Sequence, residues 1–227
     1  MKNIAIIPAR SGSKRLPNKN MIEFNGKPMI YWTLKAAIDS KVFHKIIVST
    51  DSDEIIEFSK SIGIEVPFKR DKFNDDFSSV SDATIFTLKQ AEKFYSEEYD
   101  LVFQLMANCP NRKSIDIINA HKYFIENKIH FLRTCIPFQG VSPWWSFTLD
   151  VDNNPKYIFP KYIKSRSQDL ENSYCTSGAI WIAQKKSLIN EGSFIGKNHK
   201  SFPISWFSGF DIDNMDDLII AKSISNL

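Results

Sequence analysis

Hydrophobic and polar positions along the chain follow two periods, one typical of strands and one typical of helices. Short, β-branched apolar runs predict strands at 4–7, 45–50, 64–68, 100–105, 129–136 and 178–183. Apolar residues spaced three and four apart predict helices at 29–40, 53–62, 81–95, 114–127 and 215–224. Capping residues support three of the helix starts: Ser52 or Asp53, Ser81 or Asp82, and Ser114. The alternation predicts an α/β fold of three layers, with a mostly parallel sheet between helices on both faces.

Segment 140–175 departs from this alternation. Residues 143–149 alternate like a strand, 150–155 are rich in turn formers, and 156–159 resume the strand pattern. This pattern predicts a hairpin that projects from the sheet. Its aromatic side chains are Trp144, Trp145, Phe147, Tyr157 and Phe159. They either pack locally against the body or form a dimer interface, where aromatic residues are enriched. The interface is the favoured interpretation.

The first predicted strand leads into a small, polar and basic loop. It carries four cations around a Ser-Gly-Ser run: Arg10, Lys14, Arg15 and Lys19. Small residues let backbone N–H groups approach a phosphate, and the cations offset its charge. The loop has a single glycine and lacks Gly-Lys-Ser/Thr, which excludes the dinucleotide fingerprint and the P-loop. We therefore predict a different kind of phosphate site, formed by these four cations around Ser11, Gly12 and Ser13.

Two aspartates near the end of the sequence are the second candidate for chemistry. Asp211 and Asp213 are separated by one residue, so in an extended segment both side chains point to one face. Adjacent carboxylates repel each other unless a cation joins them, and Mg²⁺ favours such oxygen ligands. Asp51 and Asp53 also follow a predicted strand, but capping of the next helix is the favoured role for that segment.

These motifs resemble those of the cytidylyltransferases that activate nonulosonic acids as CMP-sugars, the acylneuraminate cytidylyltransferase family. Residues 8–20 are similar to its Pro-Ala-Arg-x-x-Ser-Lys-x-x-x-x-Lys-Asn loop, and 210–213 to its metal-binding Ile-Asp-Ile-Asp segment. The resemblance extends over roughly residues 1–222. It implies one cytidylyltransferase domain over 1–227, with a Rossmann-like nucleotidyltransferase sheet and a homodimer built through 140–175. It also implies transfer of CMP from CTP to a nonulosonic sugar acid.

The resemblance also implies roles for individual residues. Arg10, Lys14 and Lys19 would act on the triphosphate, with Ala9 and Asn20 in the same nucleotide-binding loop. Asp211 and Asp213 would bind the catalytic Mg²⁺. Segment 70–81 is similar to the family segment that holds cytosine and ribose, which assigns Arg70 to the base and Ser79 to the nucleotide pocket.

The acceptor site has its own candidates. Gln104 matches the glutamine that reaches the acceptor sugar, and Arg166 is the candidate for its carboxylate. Cys175 and Ser177 stand where the sialic-acid enzymes have arginine and asparagine, which makes Ser177 the third substrate-binding candidate. Loss of a charged donor beside an acidic sugar predicts an acceptor other than N-acetylneuraminate.

Composition adds limits to this interpretation. The net charge of +3 over 227 residues is too small to indicate nucleic acid or membrane binding. No apolar run approaches the ~20 residues of a membrane span. The three cysteines form no metal-ligand motif, and Met1 runs almost directly into the first strand. We therefore expect a cytoplasmic protein.

Two alternatives stay open at this point. Another sugar nucleotidyltransferase, such as a Kdo cytidylyltransferase, has a similar opening loop, although the segments around Gln104 and Arg166 fit it less well. A non-catalytic nucleotide-binding module would not need Asp211 and Asp213. The sequence does not distinguish neuraminate, legionaminate and pseudaminate as acceptors.

Overall fold

The computed structural model describes residues 1–75, 77–138 and 142–225. Its strands are β1 (Asn3–Pro8), β2 (Glu23–Phe24), β3 (Lys27–Pro28), β4 (Lys45–Ser49), β5 (Leu101–Gln104), β6 (Phe131–Pro137), β7 (Phe147–Leu149), β8 (Pro155–Tyr157), β9 (Tyr174–Gln184) and β10 (His199–Pro203). Its α-helices are α1 (Met29–Ser40), α2 (Asp53–Ser61), α3 (Val80–Tyr95), α4 (Ser114–Glu126), α5 (Lys185–Glu191), α6 (Trp206–Gly209) and α7 (Met215–Ser225).

Six strands form the central sheet in the order β10-β6-β9-β5-β1-β4. The pairs β1–β4, β1–β5 and β6–β10 are parallel, whereas β9 runs antiparallel to both β5 and β6. The predicted α/β class and mostly parallel sheet are therefore confirmed. Strand β9 lies between β5 and β6, and because it is eleven residues long its first part extends beyond the carboxyl end of β5.

The two faces of the sheet pack against different helices. One cluster joins α1, α2 and α4 to the sheet through residues such as Leu34, Ile55 and Ile117. The opposite cluster packs α3 and α5 through Leu88 and Leu188. Burial of these side chains gives the three predicted layers. Among the described residues, no helix is both long and apolar enough to cross a bilayer.

A third, smaller apolar cluster lies beside the sheet. It contains Leu16 from the basic loop, Phe24 and Met29, together with Ile212 and Leu218 from the end of the chain. Ile212 is fully buried and separates the two candidate metal aspartates. This cluster holds the first loop and the Asp-Ile-Asp segment against each other.

Several predicted boundaries are wrong. The strand at 64–68 is reduced to one bridge between Glu65 and Ile47. The N-cap of helix α3 is Ser79, two residues before the first predicted cap, and Asp82 completes a capping box with it. Ser114 is the first residue of α4, and not its cap. Strand β10 was not predicted at all.

The projecting hairpin is present as β7 and β8, preceded by a short 3₁₀ turn at Pro143–Trp145. Trp144 packs on Phe159 and Tyr162 within the projection. Apolar side chains remain exposed on it, among them Phe147 and Leu149. The predicted excursion starts at residue 140, and residues 139–141 lie outside the described part. Its role in dimerisation stays a prediction.

Candidate active site

A cavity of about 420 Å³ opens at the carboxyl ends of β1 and β5, beside the N-terminus of α3. Ligands of open α/β sheets bind at this edge. Eight residues singled out from the sequence line it: Arg10, Ser13, Lys14, Arg15, Lys19, Asn20, Arg70 and Ser79. The structure thus brings the basic loop and segment 70–79 to one concave surface.

The basic loop is held in place from two sides. The backbone N–H and hydroxyl of Ser11 donate to the two carboxylate oxygens of Asp51, at 2.8 and 3.0 Å. Arg10 Nη1 donates to the backbone carbonyl of Asp75 at 2.9 Å, and the Asn20 amide donates to the Arg10 carbonyl. Asp51 therefore positions the loop, and Ser52 alone caps α2, which corrects the capping role predicted for Asp51.

The remaining small residues of the loop do not line the cavity. Ala9 is buried, and its N–H extends the β1–β4 ladder by donating to the Ser49 carbonyl. Gly12 is exposed, and a Cβ built on it would meet nothing within 4 Å. Packing within the chain therefore does not explain a glycine at position 12.

Arg70 lies in the wall of the cavity. It is only 3% exposed, and burial lowers the pKa of its guanidinium. Its Nη1 contacts the Ser49 hydroxyl at 3.3 Å, and its buried Nε has no hydrogen-bond partner among the described residues. A buried arginine with an unused donor at the wall of a cavity is suited to a ligand that offers acceptors.

The carboxylate pair lies directly behind the loop cations. Asp213 Oδ1 accepts from Lys19 Nζ at 2.8 Å, and Oδ2 accepts from Arg15 Nη2 at 2.8 Å. Burial favours the neutral form of Asp213, but the hydrogen bonds and charges of Lys19 and Arg15 outweigh it and lower the pKa of this carboxyl. Neither Asp211 nor Asp213 lines the cavity itself. Arg15 and Lys19, which contact Asp213, do line it.

Asp211 has a more enclosed environment. Burial raises the pKa of Asp211, although the Cys109 thiol and the Gly178 N–H both donate to its carboxylate. Cys109 is fully buried, and burial raises the pKa of its thiol well above the usual value, so it stays protonated and can donate. A Cβ at Gly178 would lie 2.8 Å from the Met106 side chain and 3.2 Å from Asp211, so only glycine allows this approach.

The donor set at this point fits a hard divalent cation. Asn108 Nδ2 donates to Asp213 at 3.2 Å, while its buried Oδ1 has no partner among the described residues. Carboxylate and amide oxygens are ligands that Mg²⁺ accepts. In the part of the chain that the structure describes, no group of three or more His, Cys, Asp or Glu side chains could hold a metal ion. An ion here would therefore take its remaining ligands from substrate and water.

The three predicted acceptor residues are not brought to the cavity. Ser177 is fully buried; its hydroxyl donates to the Gly209 carbonyl and accepts from the Ala179 N–H. Gln104 is also fully buried, with its Oε1 bonded to Thr84. Arg166 lies exposed on the excursion, paired with Asp169. Contacts of Gln104, Arg166 and Ser177 with the acceptor stay predictions.

Comparison with known proteins agrees with this geometry. Residues 4–117 match the family model described as cytidylyltransferase. The chain belongs to the cytidylyltransferase family. A pseudaminic acid cytidylyltransferase of Campylobacter jejuni subsp. jejuni serotype O:23/36 is 39% identical over 225 residues, which cover 98% of this chain and 95% of that protein.

This cytidylyltransferase is also similar to a second curated protein and to a solved structure. An N-acylneuraminate cytidylyltransferase of Streptococcus agalactiae serotype V is 35% identical over 96% of this chain and 52% of that protein. The solved structure of a CMP:2-keto-3-deoxy-manno-octonic acid synthetase complexed with CTP superposes with a TM-score of 0.73 over 100% of this chain and 99% of that chain. At 18% identity, that superposition shows a shared fold.

Sequence reasoning missed several residues of this cytidylyltransferase's site. The sequence motifs mark Arg15 only as one of four loop cations, do not single out Asn108 or Cys109, and favour a capping role for Asp51. Asp51 and Asn108 both follow strands whose carboxyl ends meet at the site, and that position was the available signal. The contact between Cys109 and Asp211 joins residues 102 positions apart, for which the sequence carries no local signal.

Proposed function

We propose that this cytidylyltransferase transfers CMP from CTP to the anomeric hydroxyl of a nonulosonic acid, and that pseudaminic acid or a close relative is its preferred acceptor. The contact between Lys19 and Asp213 carries the proposal, because it joins the phosphate loop to the carboxylate pair at one end of a nucleotide-sized cavity. The acceptor class rests on the near full-length similarity to the Campylobacter jejuni protein.

The reaction needs no covalent enzyme intermediate. The anomeric hydroxyl oxygen forms a bond to the α-phosphorus, the bond to the bridging oxygen breaks, and its electron pair leaves with pyrophosphate. The hydroxyl proton passes to solvent. Arg10, Lys14 and Lys19 would bind the triphosphate and offset the charge that develops on it, while Arg70 would hold the base.

We propose that Mg²⁺ is the cofactor. Asp211 and Asp213 would hold it, with Asn108 Oδ1 beside them, and the ion would supply charge neutralisation at the α-phosphate. Support comes from the unpartnered Oδ1 of Asn108 among the described residues, and from the contacts of Asp213 with the loop cations Arg15 and Lys19. Because Lys19 and Arg15 occupy both oxygens of Asp213 in this arrangement, binding of the ion and of CTP requires these contacts to rearrange together.

We also propose a cytoplasmic homodimer built through the excursion at 140–175. The support for a dimer is the exposed apolar surface of the hairpin, which includes Trp145, Phe147 and Leu149. Cys109, Cys135 and Cys175 are unpaired, which is typical of a reducing compartment.

Release of pyrophosphate tests the function. We expect the protein with CTP and Mg²⁺ to release pyrophosphate only when a nonulosonic acid is present. Tight CTP binding without pyrophosphate release, whichever acceptor is added, would favour a non-catalytic nucleotide-binding module. Release with Kdo alone would favour the Kdo cytidylyltransferase alternative.

A further inference from the structure

One aromatic side chain in the wall of the nucleotide cavity, Phe73, is not used in the proposed transfer of CMP. It lines the cavity three residues after Arg70, in the same connection between α2 and α3. Phe73 is 38% exposed, although phenylalanine is among the residues most often buried in proteins. An apolar ring therefore faces the space in which a nucleotide would bind, next to a buried arginine.

The backbone of Phe73 adopts a conformation that a bulky side chain disfavours. Its φ is 56°, in the left-handed region. Asn74 follows directly, and asparagine enters this region far more readily than phenylalanine does. Backbone strain of this kind is concentrated at active sites and ligand-binding positions. The use of phenylalanine at a strained position indicates that the ring itself is needed there.

Two contacts hold the segment around Phe73 against the rest of the site. The backbone N–H of Arg70 donates to the carbonyl of Thr50, directly after β4, at 2.7 Å. Arg10 Nη1 donates to the carbonyl of Asp75 at 2.9 Å. The segment is therefore tied to the sheet on one side of Phe73 and to the basic loop on the other, which fixes where the ring lies.

The ring of Phe73 contacts one other aromatic ring among the described residues. Its centre lies 5.5 Å from that of Phe86 on α3, and the two ring planes are inclined at 66°. An edge-to-face contact covers at most one face of a ring. At least one face of Phe73 is therefore left for a flat ligand in the cavity, while Phe86 supports the ring from α3.

Arg70 and Phe73 are suited to different parts of a nucleobase. The Nε of Arg70, which has no partner among the described residues, is suited to acceptors on the edge of a base, in the plane of its ring. An aromatic side chain instead contacts the face of a base, and every base has such a face. Val80 and Ala83, at the start of α3, add apolar surface to the same cavity. One base can therefore bind to both side chains without competition for the same atoms.

We propose that the ring of Phe73 stacks on the face of the nucleobase of the bound nucleoside triphosphate, while Arg70 contacts the edge of that base. The inference rests on the proposed function and adds a second residue to its base site. Because stacking accepts any base, Phe73 contributes affinity for the nucleotide, and Arg70 contributes the preference for cytosine.

Calorimetric binding in the absence of a sugar acid tests this assignment. Phe73→Leu keeps an apolar side chain and removes the ring. We expect it to weaken binding of CTP and of UTP by the same factor, about 5- to 50-fold. Binding of inorganic tripolyphosphate, which has no base, should change by less than about twofold. Arg70→Met should instead weaken CTP binding more than UTP binding, because it removes contacts with the edge of the base.

Phe77→Leu is the matched control. Phe77 lies on the same segment and is 99% exposed, but it does not line the cavity. We expect its affinity for each of the three probes to equal that of wild type. Phe73→Trp keeps an aromatic ring and should bind CTP within about threefold of wild type. CTP should quench the added indole fluorescence and tripolyphosphate should not, and this variant carries the test if Phe73→Leu has a lowered melting temperature.

Equal affinity of Phe73→Leu and wild type for CTP would overturn the inference while the proposed function stands. A loss of tripolyphosphate binding as large as the loss of CTP binding would also overturn it, because the ring would then only support the fold of the phosphate site. Unchanged fluorescence of Phe73→Trp on binding of CTP would have the same meaning. A wild type that binds no CTP would refute the proposed function and this inference with it.

Discussion

Lys19 Nζ lies 2.8 Å from Asp213 Oδ1, and this contact joins residues 194 positions apart. It connects the basic loop after β1 to the carboxylate pair before α7. Burial of Leu16 and Ile212 in one apolar cluster holds the two segments at this distance. The cations that we propose for the triphosphate and the carboxylates that we propose for a metal ion therefore lie together in the fold.

Asp211→Asn and Asp213→Asn should each reduce kcat by at least about 100-fold, since each removes a proposed metal ligand. Their effects on stability should differ in sign. The pKa of Asp213 is lowered in the fold, so its ionised form stabilises the protein above the ordinary value of 3.8, and this contribution is lost as the pH falls through the folded pKa. Asp213→Asn should therefore lower Tm at pH 7.

The effect of Asp211→Asn on stability should have the opposite sign, because burial raises the pKa of Asp211 above 3.8. Its stabilising contribution is complete below that value and is lost as the pH rises through the folded pKa. Asp211→Asn should therefore have a Tm at pH 7 equal to or above that of wild type, with the difference shrinking in acid. Thermal melts across the pH range in which wild type stays folded check both signs. A large loss of Tm at pH 7 in Asp211→Asn would contradict this account of its environment.

Cys109 should matter through its hydrogen bond to Asp211, and not as a nucleophile. Cys109→Ser keeps a donor and should retain kcat within about threefold, whereas Cys109→Ala should lose about tenfold and require more Mg²⁺ for half-maximal rate. The readout is kcat as a function of Mg²⁺ concentration. Cys135→Ala is the control, because Cys135 is also buried, and among the described residues the thiol that donates to Asp211 is that of Cys109. Equal behaviour of the Ser and Ala variants would exclude the positioning role.

Arg70 should select cytosine. Cytosine offers acceptors at O2 and N3, whereas N3 of uracil carries a proton that faces the arginine donors. We expect wild type to prefer CTP over UTP, ATP and GTP. Arg70→Met should lower kcat/KM for CTP by about 10- to 100-fold and should reduce the ratio of kcat/KM for CTP to that for UTP. Lys69→Met is the control, since Lys69 pairs with Asp53 at the surface. Equal turnover of UTP and CTP by wild type would show that this loop does not read the base.

The hairpin should hold a dimer together. Phe147 and Leu149 are 49% and 57% exposed, and we expect the double variant Phe147→Ser, Leu149→Ser to sediment as a monomer with an unchanged Tm. Ile219→Ser is the control, because Ile219 on α7 is 58% exposed outside the hairpin. A wild type that sediments as a monomer at micromolar concentration would rule out this interface.

Much of the fold could be predicted because local signals and tertiary packing agree. Helix α1 matches the predicted bounds at Met29 and Ser40, since its apolar face packs as the periodicity requires. Strand β10 was missed because it is short and its exposed lysine and serine hide the strand pattern. The direction of β9 could not be predicted, because a continuous apolar run fits either orientation.

The candidate site divides in the same way. Residues that act from one contiguous loop, such as Arg10 and Lys14, were predicted from their spacing and line the cavity. Residues whose roles depend on distant contacts were not: Asp51 holds Ser11, and Cys109 holds Asp211. Ser177 was placed at the substrate by resemblance, but β9 packs against Gly209 and turns its hydroxyl inward. The pairing of β6 with β9 contains a bulge. After a bulge, the position of a residue in the sequence no longer determines which face of the sheet its side chain points to.

Acceptor specificity tests the central claim most directly. The measurement is kcat/KM for pseudaminate, legionaminate and N-acetylneuraminate at saturating CTP and Mg²⁺. The account predicts pyrophosphate release in proportion to CMP-sugar formed, with pseudaminate preferred over N-acetylneuraminate by at least about tenfold, because a site lacking a matched polar partner loses a few kcal/mol. A clear maximum for N-acetylneuraminate, or no turnover with any of the three acids, would contradict it.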